Sequence, residues 1–169
     1  MRKSLLRRVA NRALHLLARY IPGATTIRPV LHRWRGAKIG DHVFIGDDVY
    51  LENEYPEAVE IGSGVEIGVR AIILAHTKGA GRVVIEKDAF IGANAVIAVS
   101  GNRTLRIGEG AVVGAGSIVT SDVSARVFVA SEAPKAVAYA RTPFTRVQRM
   151  EDFVRGLSPI AKRRPRAKE

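Results

Sequence analysis

The residues of this chain best suited to acid–base chemistry are its four histidines, because it contains no cysteine. His15 and His32 lie in a basic N-terminal segment, where we expect them to contact solvent or cap the core. His42 and His76 each end a six-residue segment, AKIGDH and AIILAH. A histidine on a rigid support can serve as a general base, since imidazole changes its charge near neutral pH. The alternative for each is a surface histidine at a turn.

A six-residue pattern that recurs from Ala37 to Asp122 must position these side chains. Its third place always holds an aliphatic residue: Ile39, Ile45, Leu51, Ile61, Ile67, Ile73, Ile85, Ile91, Ile97, Ile107, Val113 and Val119. Its first place holds small or apolar residues: Ala37, Val43, Val49, Val59, Val65, Ala71, Val83, Ala89, Ala95, Leu105, Ala111 and Ser117. Alternation of inward and outward residues predicts short strands. Glycine often follows the aliphatic residue, where it is expected to permit a sharp bend.

The pattern is interrupted after every third hexad, so eighteen residues form one three-sided coil. The interruptions are Tyr55–Ala58, Thr77–Arg82 and Gly101–Thr104, which are predicted to leave from one corner of the prism. An alternative treats Thr77–Arg82 as a degenerate face, which would shift the later coils by one side. The loop interpretation is preferred, because TKGAGR has no inward aliphatic residue and only this assignment keeps the interruptions in register.

The corner with the loops collects polar residues in a column. Glu54, His76, Ser100 and Asp122 hold the same hexad place in successive coils, roughly 4.8 Å apart. Glu54 is expected to accept a hydrogen bond from one imidazole nitrogen of His76 and so set its tautomer. Asn53 or Glu52 would then hold the acceptor substrate. The alternative for both is a solvated corner.

These hexads resemble the hexapeptide-repeat acyltransferases, whose coils form a left-handed parallel β-helix. The resemblance implies an all-β fold of about four three-sided coils, flanked here by N- and C-terminal helices. It also favours His76 as the base, because sugar acetyltransferases of this kind carry a histidine after the corresponding strand. The implied reaction is direct transfer of an acetyl group from acetyl-CoA to a hydroxyl or amine of a sugar or polysaccharide precursor. A backbone N–H near the third-coil corner would stabilise the oxyanion.

The resemblance also implies where acetyl-CoA binds and how the chain assembles. Small residues that let the pantetheine arm approach the backbone match Ala93, Ala115 and Thr120, and a basic residue near the CoA phosphates matches Lys135. Ala93 and Ala115 are equally interpretable as ordinary small residues of the repeat. The tail VASEAPKAV departs from the family's VAGNPAKV at Ser131 and Ala133. Most of the family are trimers with sites between subunits, so a homotrimer is expected.

Outside the repeat, the charge is strongly positive. Residues 1–40 carry a net charge of +10, residues 41–134 carry −6, and residues 135–169 carry +7. We expect three segments: a basic amphipathic helix over 1–20 with a connector to 36, the β-helix over 37–125, and a C-terminal extension over 126–169. Trp34 is expected to cover the open first coil, since an exposed β-helix end needs a cap. A helix between Thr142 and Gly156 is expected to pack its apolar side on the β-helix, and the tail KRRPRAKE to be disordered.

The amphipathic N-terminal helix has two interpretations: it packs on the β-helix or another subunit, or it lies on an anionic membrane surface. No apolar run is long enough to span a membrane. With the lack of cysteine, this indicates a cytoplasmic location, at the inner membrane face in the second interpretation. Nucleic-acid binding is disfavoured, because the basic ends lack interleaved aromatic residues.

Other functions on the same fold fit less well. A γ-class carbonic anhydrase needs three histidine ligands to zinc, whereas the repeat offers His42 and His76 at different corners, so no metal is predicted. A non-catalytic scaffold would not need regular loops at one corner. A subunit that binds CoA or sugars without turnover is the other alternative, and consumption of acyl-CoA by the purified protein separates it from an enzyme.

Overall fold

The computed structural model describes residues 4–133 and 135–160, which divide into two compact units between Ser131 and Glu132. The helices in these ranges are α1 (Leu5–Tyr20), α2 (Ile27–Arg35) and α3 (Met150–Arg155). The strands are β1 (Lys38–Ile39), β2 (Phe44–Ile45), β3 (Tyr50–Leu51), β4 (Val59–Ile61), β5 (Glu66–Ile67), β6 (Ile72–Leu74), β7 (Arg82–Ile85), β8 (Phe90–Ile91), β9 (Val96–Ala98), β10 (Thr104–Ile107), β11 (Val112–Val113), β12 (Ile118–Val119), β13 (Phe128–Val129), β14 (Ala138–Ala140) and β15 (Leu157–Pro159).

Three parallel sheets form the faces of a prism. The first contains β1, β4, β7 and β10, the second β2, β5, β8, β11 and β13, and the third β3, β6, β9 and β12. Neighbouring strands in each sheet come from successive coils, so the chain winds as a parallel β-helix of about four turns, as predicted. Strand β13 continues the second face beyond residue 125, where the β-helix was expected to end.

The register of the first face distinguishes the two interpretations of Thr77–Arg82. Val83 lies opposite Val59 in the coil before and opposite Leu105 in the coil after. A degenerate face at this segment would have placed Val83 in another sheet. The loop interpretation is therefore confirmed, and the interruptions before β4, β7 and β10 all leave the prism at the corner between its third and first faces.

The repeat supplies the core. The first-place and third-place residues are buried throughout the coils, except Ile39, which is partly buried at the open end. Stacked Ile, Val and Leu side chains from the three faces therefore fill the interior, and this burial is the main source of stability.

Glycine has a different role in the repeat from the one predicted. Fourth-place glycines do not bend the chain: a Cβ on Gly68 would lie 2.6 Å from the backbone nitrogen of Ala93 in the next coil. The fourth place is thus where successive coils approach most closely. The left-handed bend occurs at the sixth place of the first two faces, as in Asp48 and Asn94 with φ of 55° and 57°. Asn and Asp tolerate this conformation better than most residues.

Helix α2 closes the open end of the first coil, but Trp34 does not take part. Trp34 is 71% exposed, whereas Leu31, His32 and Arg35 are buried. The prediction for Trp34 was wrong because the connector forms a helix, and its inward face follows the spacing of Arg28, Leu31, His32 and Arg35. The helix ends at Gly36, whose φ of 109° favours glycine.

Helix α1 lies on α2 and the first coil with its polar side inward. Ser4 caps its first turn by accepting a hydrogen bond from the Arg7 amide. His15 and Ala18 are buried, and Arg19 donates a 2.7 Å hydrogen bond to Asp48. The apolar stripe of α1 is exposed, so it does not pack on the β-helix of its own chain, and the alternatives of another subunit or a membrane surface stay open. None of the described helices is long and apolar enough to cross a membrane.

The second unit is small. Strands β14 and β15 pair antiparallel, and Phe144 stacks edge-on against Phe153 with 5.0 Å between ring centroids. The predicted helix after Thr142 is shorter than expected, since Phe144–Arg146 forms a 3-10 turn and α3 begins only at Met150. β-Branched Thr145 and Val147 lower the helix propensity of the stretch before α3. The basic tail predicted over residues 162–169 lies outside the described residues.

Candidate active site

His76 ends the third face of the second coil and borders a cavity of about 390 Å³. Its imidazole is 38% exposed and stacks edge-on against Tyr55, with 5.2 Å between ring centroids. The loops that follow the first and second coils form the walls. The lining residues are Tyr55, Glu57, Ala58, His76, Gly79, Ala80, Gly81 and Arg82.

The loop over His76 is held by its neighbour in the next coil. Asn102 accepts a 2.9 Å hydrogen bond from the Ala80 amide, and Thr77 Oγ1 donates at 2.6 Å to the carbonyl of Val99. Arg82, at the end of the loop, forms an ion pair with Glu60. The cavity wall is thus fixed by side-chain bonds between coils.

The partner of His76 is Glu52, which is fully buried. Glu52 Oε2 lies 2.6 Å from His76 Nδ1 and also accepts the Ala75 amide at 2.9 Å. Its Oε1 accepts the amides of Glu54 at 2.8 Å and Tyr55 at 3.1 Å. A carboxylate that accepts four N–H groups fixes both its own position and the orientation of the imidazole.

Glu52 reaches His76 because it replaces a main-chain acceptor in the coil-to-coil ladder. One coil later the Val99 amide bonds to the carbonyl of Leu74 at 3.0 Å. The equivalent Ala75 amide bonds instead to the carboxylate of Glu52. The carbonyl of Glu52 is thereby available to accept a 2.7 Å hydrogen bond from Arg35. Glu52, at the fourth place of its hexad, thus links two successive coils to each other and to α2.

Burial alone would raise the pKa of Glu52, but hydrogen bonds from His76 and from the amides of Ala75 and Tyr55 outweigh it and hold that pKa below its ordinary value. Glu52 is therefore ionised near neutral pH and accepts a hydrogen bond from the Nδ1–H group of His76. The second nitrogen, Nε2, then carries the lone pair.

Arg35 supports this corner from below. It is buried, and its guanidinium donates to the carbonyls of Leu51 at 3.2 Å and Glu52 at 2.7 Å. It also donates to Asn11 Oδ1 at 2.9 Å and lies 2.6 Å from Nδ1 of His32. Asn11 in turn donates to the carbonyl of Asn53. Helices α1 and α2 thus hold the main chain of residues 51–53.

The structure corrects the roles predicted for the two glutamates. Glu52, expected to hold the acceptor, is inaccessible and bonds to His76 instead. Glu54, expected to bond to the imidazole, has a half-exposed side chain 3.9 Å from Arg8. The predicted column contains only residues at equal hexad places, whereas a side chain can reach diagonally between coils. The sequence does contain a signal for the role of Glu52, because Glu52 is an acid at the fourth hexad place, where later coils carry Leu74, Ala98 and Thr120.

Asn53 does not line the His76 cavity. It is mostly buried, and it lines a second cavity of about 480 Å³ between the corner and α1, together with Glu54. His42 lies at another corner of the prism, between the first and second faces. In the described ranges no three His, Asp or Glu side chains are grouped as metal ligands.

The residues predicted to bind acetyl-CoA occupy two corners. Ala93 and Ala115 lie on successive coils at the corner before the third face, where the Gly116 amide bonds to the Ala93 carbonyl at 2.9 Å. Thr120 lies at the corner after that face, two coils above His76. Lys135 belongs to the second unit, where its ammonium pairs with Glu132.

Comparison with known proteins supports the predicted left-handed β-helix. The family model described as the hexapeptide repeat of succinyl-transferase matches residues 82–121. A hexapeptide-repeat-containing acetyltransferase from Vibrio cholerae superimposes with a TM-score of 0.61 at 25% identity, over 75% of this chain and 86% of that one. A serine acetyltransferase from Entamoeba histolytica has a TM-score of 0.51 at 23% identity over 76% of this chain and 48% of that one, which shows the fold alone.

Among curated relatives, a 2,3,4,5-tetrahydropyridine-2,6-dicarboxylate N-acetyltransferase from Staphylococcus aureus is 41% identical over 81 residues, which are 47% of this chain. The match covers 32% of that relative, so the chain spans about a third of its length.

Proposed function

We propose that this chain, whose repeat is similar to that of the hexapeptide-repeat acyltransferases, transfers an acetyl group from acetyl-CoA to a hydroxyl or amine of a sugar or polysaccharide precursor. The observation that carries this proposal is the buried Glu52 carboxylate on Nδ1 of a partly exposed His76. This geometry prepares Nε2 to accept a proton at the edge of a cavity large enough for a small polar acceptor.

In the proposed reaction, the acceptor lies in the 390 Å³ cavity and Nε2 of His76 removes the proton from its attacking oxygen or nitrogen. That atom forms a bond to the thioester carbonyl, and the tetrahedral intermediate then expels CoA thiolate. His76 returns the proton to the thiolate sulfur. Glu52 stays ionised and stabilises the imidazolium during transfer. The chain has no cysteine nucleophile, so the acyl group passes directly between substrates.

The acyl-CoA is proposed to lie along Ala93 and Ala115, whose small side chains leave the corner open. Thr120 and Lys135 remain proposed contacts by resemblance to the family, Lys135 for the CoA phosphates. Asn53 is proposed to contact the acceptor only where a longer acceptor extends into the neighbouring cavity along α1. A homotrimer that acts in the cytoplasm at the inner membrane face is part of the same proposal, and the mass in solution tests its assembly.

The experiment measures free CoA released from acetyl-CoA by wild type, His76→Ala and His42→Ala against sugars, nucleotide sugars, serine and dicarboxylic amines. Acceptor-dependent release that falls roughly a hundredfold or more in His76→Ala supports both reaction and base. His42→Ala is the matched control, since it removes a histidine from another corner. Release that survives in His76→Ala contradicts the proposed base, and absence of CoA binding favours a non-catalytic scaffold.

A further inference from the structure

Helix α1 presents an apolar surface to solvent. Its docking face consists of the residues Leu5, Leu6, Val9, Leu16, Leu17 and Tyr20, which are between 48% and 83% exposed. The inward side is instead polar or small, with Asn11, His15 and Ala18 against α2 and the first coil. An amphipathic helix normally buries its apolar side, so this reversed orientation indicates that the docking face has a partner outside the chain.

Positive charge borders the docking face. At about 100° per residue, Arg8 and Arg12 fall along one edge of it and Arg7 lies beyond the other. All three are exposed, and residues 1–40 contain no acidic residue. Arginine side chains can lie along an apolar surface and extend their charged ends outward to phosphate groups. The combination of exposed leucines and arginines on one short helix fits an interfacial helix on an anionic bilayer.

The docking face adjoins the corner that carries the proposed site. The 480 Å³ cavity beside α1 is lined by Leu5, Val9 and Leu16 from the docking face and by Asn53 and Glu54 from the corner. Tyr55, the next residue, lines the cavity of His76. A single segment, residues 52–55, therefore separates an apolar, arginine-bordered cavity from the proposed base.

We propose that the docking face of α1 binds an anionic lipid surface and so presents the Glu52–His76 corner to acceptors anchored in that surface. The second part deepens the proposed function and rests on it, whereas the first does not. The acceptor class that fits has an apolar anchor next to an anionic group, with the sugar beyond it. Pairing of α1 with the α1 helix of a second copy fits less well, because symmetric pairing of two such helices would bring their arginines together.

Binding is tested by sedimentation with vesicles, without acyl-CoA, so that the result does not depend on turnover. Wild type is expected to bind vesicles of phosphatidylcholine with phosphatidylglycerol, to bind pure phosphatidylcholine weakly, and to dissociate as salt is raised. The double variant Leu6→Asp, Leu17→Asp is expected to bind about tenfold or more weakly. Both residues are exposed and neither lines the 480 Å³ cavity beside α1, so circular dichroism should match wild type.

Val137→Asp is the matched control, because it places an acid at a residue that is 77% exposed in the second unit. Equal binding by wild type and the double variant, or no preference for anionic vesicles, overturns the proposal. If wild type does not bind vesicles and the double variant loses self-association, the partner of the docking face is a second copy of the chain instead.

Acceptor delivery has a separate readout. The double variant should keep wild-type CoA release with a free sugar acceptor and lose most of it with a glycolipid phosphate in vesicles. Equal loss with both acceptors overturns the delivery role. If wild type releases no CoA with any acceptor, the proposed function is wrong, whereas the result of the vesicle-binding experiment is unaffected.

Discussion

Glu52 Oε2 lies 2.6 Å from Nδ1 of His76, and the two residues differ sharply in exposure. The carboxylate is fully buried, whereas the imidazole is 38% exposed. One ring nitrogen is therefore held by the rigid stack and the other faces the cavity. Since the same carboxylate accepts three backbone amides, the His76 orientation is tied to the folding of the corner itself.

Glu52→Gln should reduce transfer by roughly a hundredfold or more. Each oxygen of Glu52 accepts two N–H groups, whereas an amide has one oxygen and one NH₂ group. Whichever way the new side-chain amide turns, its NH₂ group meets two donors. If that group faces His76, Nδ1 must become the acceptor and the proton moves to Nε2, which abolishes the base. Steady-state kcat measures the effect.

Glu54→Gln is the matched control, because the side chain of Glu54 is half exposed and borders Arg8 instead of the imidazole. It should keep kcat within about twofold of wild type. If Glu54→Gln were the damaging change and Glu52→Gln harmless, the assignment of Glu52 as the positioning residue would be wrong.

Arg35→Met should destabilise the protein by about 3 kcal/mol or more, since it leaves the buried carbonyls of Leu51 and Glu52 without their donor. The same change should lower kcat, because those carbonyls belong to the segment that carries Glu52. Urea unfolding and steady-state kinetics measure the two effects. Arg33→Met, on the exposed side of the same helix, should lower the free energy of unfolding by well under half as much as Arg35→Met.

The repeat made the coils and their register predictable, because inward residues recur every six positions and the loops interrupt them at equal intervals. The position of His76 beside a loop was likewise predictable, whereas its role as the base comes from the family resemblance and stays a prediction. The role of Glu52 was not, since hexad alignment stacks backbone positions and does not show how far a side chain reaches. Only one feature of the sequence pointed to that role: Glu52 is an acid at the hexad place where later coils carry Leu74, Ala98 and Thr120.

The N-terminal segment was less predictable. Its apolar periodicity predicts a helix correctly, but cannot show which side faces the coil, because that depends on polar partners far along the chain. Asn11 bonds to Arg35 and Asn53, and Arg19 to Asp48. These long-range bonds, together with the capping helix α2, turn the polar side of α1 inward and expose Trp34.

Acid should destabilise the fold through two buried histidines. Burial and the neighbouring Arg35 lower the pKa of His15 to about 4 and of His32 to about 3. Unfolded imidazoles bind protons near pH 6.5, so the unfolded state takes up protons first. This stabilisation is complete above pH 6.5 and is lost as pH falls towards 4, by an amount on the order of 3 kcal/mol for each of the two histidines.

Urea unfolding between pH 7.5 and pH 4.5 measures that loss. His15→Leu should flatten the pH dependence and leave stability at pH 7 equal or higher, since both ring nitrogens of His15 lack partners in the described structure. His42→Leu, at an exposed corner, should keep the wild-type dependence. An unchanged slope in His15→Leu would show that other groups cause the acid sensitivity.

Gly92→Ala should destabilise the β-helix by about 2 kcal/mol. A Cβ there would lie 2.8 Å from Cα of Ala115 in the next coil, and backbone cannot move aside without separating the coils. Gly101→Ala is the comparison: it has a φ of 75° but no atom within 4 Å of its added Cβ. It should cost about 1 kcal/mol, from backbone strain alone. Thermal unfolding ranks the two, and a larger loss for Gly101→Ala would contradict the close approach.

Ala115→Leu should raise KM for acetyl-CoA by about tenfold and change KM for the acceptor little. The side chain of Ala115 is exposed at a corner stacked on Ala93, so a larger residue is accommodated by the fold but fills the path proposed for the pantetheine arm. Val69→Leu, at the same corner two coils earlier, controls for bulk alone. Initial rates measured while each substrate is varied in turn give the KM for acetyl-CoA and the KM for the acceptor separately. If Val69→Leu raises KM for acetyl-CoA and Ala115→Leu does not, the donor lies along the earlier coils.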